Sequence, residues 1–237
     1  MSKEGEMVNH ETLIRPLFEA GAHFGYSKSR NHSSTRDFIF TYKNRSAVID
    51  LEKTIGQLAT AKEFLAELGK TGKKILLVGN KSEVRSTVEI AAQKTGLPYV
   101  TSRWLGGTFT NFPQIKSRID RMIDLKAKRE NGELAVYTKK EQLLFSKEIT
   151  KLERYLASLA GMTALPAAVV VVDSEHEKIV VDEANKMKVP VVSISNTDCD
   201  LRGVDYPIVA NDGNIDTVKL ILGELMTAYE NGAVVTK

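Results

Sequence analysis

Lys73-Lys74-Ile75-Leu76-Leu77-Val78-Gly79-Asn80-Lys81-Ser82-Glu83-Val84 is the stretch on which the fold turns. Ile75 to Val78 are apolar without alternation, so Lys73–Val78 reads as a strand covered on both faces. Gly79-Asn80-Lys81-Ser82 supplies a turn and a helix cap, and Glu83–Thr95 continues as a helix. The same order recurs downstream. Pro98–Thr101, Ala167–Val172, Pro190–Ile194 and Pro207–Ala210 read as strands, and Glu175–Met187 and Ile215–Tyr229 as helices. Strands alternating with helices predict a parallel sheet with helices on both sides, a three-layer α/β domain of flavodoxin or Rossmann type. Right-handed crossovers place the loops that follow the strands along one edge of the sheet.

Upstream, Leu13, Ile14, Leu17 and Phe18 have helical spacing within Glu11–Ala20, which Gly21 ends. Met1–Asn9 is polar and expected to fray. Gly21–Thr35, rich in Gly, Ser, Asn and cations, reads as a long loop. Asp37–Tyr42 and Ser46–Asp50 flank Lys43-Asn44-Arg45 as a hairpin. Leu51–Leu68 is an amphipathic helix that Gly69 and Gly72 close.

The alternation breaks between Pro113 and Ala160. Ile115, Ile119, Met122, Ile123 and Leu125, then Leu143, Leu144, Ile149, Leu152, Leu156 and Leu159, recur every three or four residues. The pattern predicts two antiparallel helices turning near Asn131–Thr138, a coiled-coil hairpin. Residues 113–160 are therefore expected to be inserted into a globular domain made of 1–112 and 161–237. The insert holds eleven Lys and Arg against seven Asp and Glu. Such a pattern is ordinarily a solvated face, but a narrow seam buries little area, so a projecting hairpin calls for a partner.

Composition sets limits. Of 237 residues, 42% are hydrophobic and 27% charged, which suits a globular domain with a real core. A net charge of +3 is too small to establish nucleic-acid binding, so the placement of charge must carry that argument. The single cysteine, Cys199, rules out an internal disulfide and a cysteine-rich zinc module. The first residues carry no apolar run of a secretory signal, and Leu165–Val172 is too short to span a bilayer. A soluble, cytoplasmic protein is expected.

No Gly-x-Gly-x-x-Gly follows a strand, and there is no Gly-Lys-Ser/Thr phosphate loop or Gly-x-Ser-x-Gly elbow. Gly79-Asn80-Lys81-Ser82 could hold a single phosphate at most. A nucleotide-using α/β enzyme is the rival reading. Lys28, Arg30, Arg36, Lys43, Arg45, Lys81, Arg85 and Arg103, lying in separate loops with aromatics nearby, instead suit contact with folded RNA. Asp198, Asp200, Asp205 and Asp212 fall in loops after the late strands. With His23 they could offer a nitrogen and several oxygens to zinc or magnesium. The same residue types are also ordinary turn formers and caps.

Arg103-Trp104-Leu105-Gly106-Gly107-Thr108-Phe109-Thr110-Asn111-Phe112 joins a strand to the first long helix of the insert. Trp104 is expected to be buried, with Gly106 and Gly107 permitting a turn closed to other residues. Arg103–Gly107 followed by Thr110-Asn111-Phe112 resembles the bacterial small-subunit ribosomal protein S2 family. So do Gly21-Ala22-His23-Phe24-Gly25 and Asn196-Thr197-Asp198-Cys199-Asp200, continued by Val204–Ile208 and Asn211-Asp212. The likeness runs from about Leu13 to about Leu222. It implies a non-catalytic protein on the solvent side of the small ribosomal subunit. That protein would bind ribosomal RNA and neighbouring ribosomal proteins, and help to recruit the large mRNA-binding one. The sequence departs from the family pattern at Tyr26, where a histidine is usual, and at Asn31–Arg36, where Trp-Asn-Pro-Lys is common. It departs again at Asp200-Leu201-Arg202, which stands for Asp-Pro-Asp.

Overall fold

A computed structural model describes residues 13–234. The expected frayed start, Met1–Asn9, lies outside the described residues. Helix α1 covers residues 13–19. Strands β1 (Phe24–Ser27), β2 (Ile39–Lys43) and β3 (Ser46–Ile49) precede helix α2 (Leu51–Lys70). Then follow β4 (Ile75–Val78), α3 (Arg85–Thr95), β5 (Tyr99–Val100), α4 (Phe112–Glu130) and α5 (Lys139–Leu156). The chain continues through β6 (Ala168–Val172), α6 (Lys178–Lys186), β7 (Val191–Ser195), β8 (Tyr206–Val209) and α7 (Ile215–Val234).

Five strands form one parallel sheet in the order β5-β4-β6-β7-β8, the α/β architecture the alternation predicts. Successive side chains of a strand point to opposite faces, so an all-apolar strand feeds two cores. Ile75 and Leu77 join Leu58, Leu65, Val88, Ala92, Ile221 and Leu225 beneath α2, α3 and α7. Leu76 and Val78 join Trp104, Phe109, Ile119, Leu156, Val180 and Ala184 beneath α4, α5 and α6.

Three local readings need correction. The Gly21–Thr35 segment is not all loop, because β1 pairs antiparallel with β3, giving a second sheet of order β1-β3-β2. Four residues interrupted by Gly25 are too few to show alternation. Gly25 is needed there because a Cβ would lie 2.7 Å from the Thr197 methyl. Gly69 does not end α2: a Cβ on it would sit 2.2 Å from the Tyr229 carbonyl oxygen of α7, so the glycine lets the two helices touch. Gly72, at φ +64°, is the residue that turns the chain. Helix α6 starts at Lys178 rather than Glu175, because the Asp173 carboxylate takes the amides of Glu175 and His176 and holds a turn there.

Thr138 and Glu141 form a reciprocal capping box that starts α5. Arg121 pairs with Glu148 at 2.6 Å and Lys126 with Glu153 at 2.8 Å, tying α4 to α5. Ile115, Ile119, Met122 and Leu156 belong to the second core, so the roots of both helices are part of the domain beneath the sheet. Among the described residues no helix is long and apolar enough to cross a membrane.

Candidate nucleic-acid interface

The loops after β4, β6, β7 and β8 meet at the carboxyl edge of the sheet, as the crossover rule requires. Their polar groups are turned toward one another. The Lys81 ammonium lies 2.5 Å from Asp173 Oδ2 and 2.9 Å from Asp212 Oδ2. The Asn196 amide donates to Asp212 Oδ1 at 3.1 Å. Burial disfavours the Lys81 charge, but the Asp212 charge and hydrogen bonds to both carboxylates outweigh it and hold the ammonium above its usual range. Burial, then the Asp173 charge, pushes Asp212 up to about 6. Asp173 is also buried, yet Lys81 and the His176 amide bring its carboxyl below the usual value. Burial first and Asp173 second push the Cys199 thiol up to about 12, so it is no nucleophile.

Lys81 is thus committed to an internal ion pair rather than held out for a phosphate. The neighbouring Asn80 amide is likewise taken, by Glu177 at 3.2 Å. A metal does not fit either. Among the described residues no group of His, Cys, Asp and Glu could hold one. The Lys81 ammonium already occupies the position between carboxylates that a cation would take. His23 stacks on Phe18, with centroids 4.3 Å apart, and lies 4.1 Å from Phe24, its buried Nδ1 finding no partner among the described residues. Asp198 lies 3.8 Å from Arg30, Asp200 is held by Arg202, and Asp205 accepts the Val191 amide.

The Arg103–Phe112 loop has an unexpected organiser. Glu183 of α6 is buried and accepts hydrogen bonds from the amides of Gly107 (2.6 Å), Phe109 (2.9 Å) and Thr110 (3.3 Å). The Thr110 hydroxyl and the Trp104 indole N–H point at the same carboxylate. Burial raises the pKa of that carboxyl, but the converging donors win and hold it below the usual value. Gly107, at φ +92°, makes the amide arc possible, whereas Gly106 has open space around it. Asn111 precedes α4 without a side-chain cap. Trp104 is 6% exposed and meets Phe109 edge to face at 5.0 Å. The loop's donors are therefore used inside the protein. Only Arg103 of this stretch carries an exposed charge.

The outward-facing cations gather elsewhere. Lys28, Arg30, Arg36, Lys43 and Arg45 are exposed on the β1-β3-β2 sheet and its connections. Lys28 Nζ lies over the Tyr42 ring at 5.5 Å, and the Arg30 guanidinium over the Tyr26 ring at 4.4 Å. Residues 24–50 hold five Lys and Arg against two Asp, an excess equal to the whole chain's formal +3. This sheet is anchored to the carboxyl edge. Thr197 Oγ1 accepts the Tyr26 amide, and the Thr197 carbonyl accepts the His32 amide and the buried Thr35 hydroxyl. Arg85 is exposed at the start of α3, its guanidinium on Asn80.

Glu183 and Thr197 escaped the sequence reading. Glu183 left a trace, since a carboxylate between Val180 and Ala184 falls on the buried face of an amphipathic helix. Thr197 left none beyond its place in a motif.

A family model for ribosomal protein S2 matches residues 17–232. The small ribosomal subunit protein uS2 of Dictyoglomus thermophilum is 40% identical over 220 residues, 93% of this chain and 89% of that protein.

Proposed function

Since the chain belongs to the ribosomal protein S2 family, and is a structural constituent of the small ribosomal subunit rather than an enzyme, we propose that it meets ribosomal RNA chiefly through Lys28, Arg30, Arg36, Lys43 and Arg45. Arg85 and Arg103 extend that contact along the domain. The observation that carries this reading is the division of cations: Lys81 is internally neutralised, while those of residues 24–45 stand exposed on a sheet anchored to the domain. Such a sheet presents charge at fixed spacing, which suits phosphates held in a folded RNA.

Helices α4 and α5 act, in this reading, as an inserted antiparallel hairpin, rooted by Ile115, Ile119, Met122 and Leu156 and projecting beyond Lys126. The ion pairs Arg121–Glu148 and Lys126–Glu153 support it. Ribosomal RNA and ribosomal proteins are the partners of this family. The large mRNA-binding ribosomal protein is the neighbour that the sequence resemblance points to. No metal or nucleotide has a place in the reading.

Reversing Lys28, Arg30, Arg36 and Arg103 together to Glu tests it. The variant is expected to leave the small-subunit fractions of a sucrose gradient while keeping its circular dichroism. Wild-type binding to ribosomal RNA should weaken with salt at a log–log slope of about −0.7 to −0.9 per phosphate neutralised. A reversed variant that still sediments with small subunits overturns this interface.

A further inference from the structure

Phe40 is 75% exposed and Tyr42 42%, and they are two residues apart on β2, an edge strand of the three-stranded sheet. The ladder to β3 slips between Ile39 and Thr41, leaving Phe40 as an extra residue there, so it is their shared cleft rather than strand alternation that brings the two residues together. They line a cleft of about 480 Å³ with Lys28, Asn31, Arg36 and Thr41. The Asn31 amide donates to the Tyr42 hydroxyl at 3.3 Å, and Lys28 sits against the Tyr42 ring, so the tyrosine is held in place while its neighbour Phe40 is left uncovered. We propose that this face is a stacking platform for unpaired nucleotides of RNA, with Phe40 and Tyr42 taking base faces and Lys28 and Arg36 taking the flanking phosphates.

The proposal rests on the RNA interface described above and narrows it. Exposed rings do not by themselves choose between a base and an apolar side chain of a partner protein. Charge chooses here. Lys28 and Arg36 line the cleft with the rings, and residues 28–45 hold three more exposed cations, Arg30, Lys43 and Arg45, against one exposed anion, Asp37. A polyanion whose repeating unit carries a flat ring fits both features at once. The bases of an A-form duplex are stacked inside and its major groove is deep and narrow, so rings on an edge strand can reach only unpaired bases.

The test uses the purified full chain and a short unstructured RNA carrying a fluorescent purine analogue whose emission falls on stacking, beside a duplex of equal length. Quenching is expected with the single strand, together with tighter binding of the single strand than of the duplex. Phe40→Ala and Phe40→Leu should each weaken single-strand binding about tenfold or more, with the salt slope unchanged. The leucine variant keeps apolar bulk and removes only the π face, so wild-type affinity in Phe40→Leu overturns the platform. Absence of quenching in the wild type overturns it too. Loss of a neighbouring ribosomal protein from small subunits carrying Phe40→Ala, with single-strand binding intact, would make the face a protein contact and overturn it likewise. A flat salt dependence of the wild type would instead sink the cationic interface on which the proposal rests.

Discussion

The Arg103–Phe112 loop and the β1-β3-β2 sheet solve opposite problems. The loop carries the conspicuous sequence, with the only tryptophan and paired glycines, yet its amides turn inward onto one buried carboxylate, Glu183. The sheet joins a plain hairpin to a strand, β1, that has no clear pattern, yet it holds most of the exposed cations of the proposed interface, as well as the uncovered ring of Phe40. A memorable motif therefore marks where the fold is hard to build. A plain, cation-rich segment marks where the surface is free to meet something else.

The contrast breaks most readily at Lys81, which resembles the sheet's cations in sequence but is used like the loop's donors. Lys81→Ala strands two buried carboxylates and is expected to cost about 3–5 kcal/mol in denaturant unfolding. A cost like that of an exposed lysine would place Lys81 back among surface cations. Next comes Trp104→Ala, where the lost indole leaves a cavity under α4 and α6. About 3–4 kcal/mol is expected, and the wild-type indole should emit as a buried one.

Glu183→Gln keeps the shape but removes the charge that collects the amides. A loss of about 2–3 kcal/mol at neutral pH is expected, since at least one loop donor is left without a good acceptor. The sign with pH follows from the carboxyl's lowered value. Stability from Glu183 is fully present above its unfolded value near 4.5 and is lost as pH falls through the folded one. Unfolding measured from neutral to acid pH should show the wild type converging on the variant as acid is added. Parallel curves would mean that the charge of Glu183 does not hold the loop.

Replacing residues 126–148 by a flexible linker should leave cooperative unfolding of the domain nearly intact, because the core-forming Ile115, Ile119, Met122 and Leu156 remain. Removing 114–158 takes those residues away and should abolish it. Smallest of all, Arg36→Ala and Phe40→Ala should each shift stability by no more than about 0.5 kcal/mol. Larger losses would show the sheet to be as structurally committed as the loop.

Much of this was legible in the residues themselves. Runs such as Ile75–Val78 and Ala168–Val172, apolar without alternation, can be satisfied only by a strand with cover on both faces, so the α/β layering follows locally. The recurrence of Ile115, Ile119 and Met122 and then of Ile149, Leu152 and Leu156 marks α4 and α5 in the same way. The missing glycine and lysine patterns exclude a diphosphate loop without reference to any contact.

The fate of the polar groups was not legible, because it depends on partners far away in the chain. Lys81 meets Asp212 across 131 positions, Gly107 meets Glu183 across 76, and Tyr26 meets Thr197 across 171. A lysine in a turn reads alike whether it faces a phosphate or two carboxylates. The sequence determined which segments become strands and helices, since periodicity and backbone preference act over a few residues. Tertiary structure alone decided which charges are neutralised within and which are left exposed. Burial and pairing set the energy of a charge, and both are properties of neighbours that only the folded chain brings together.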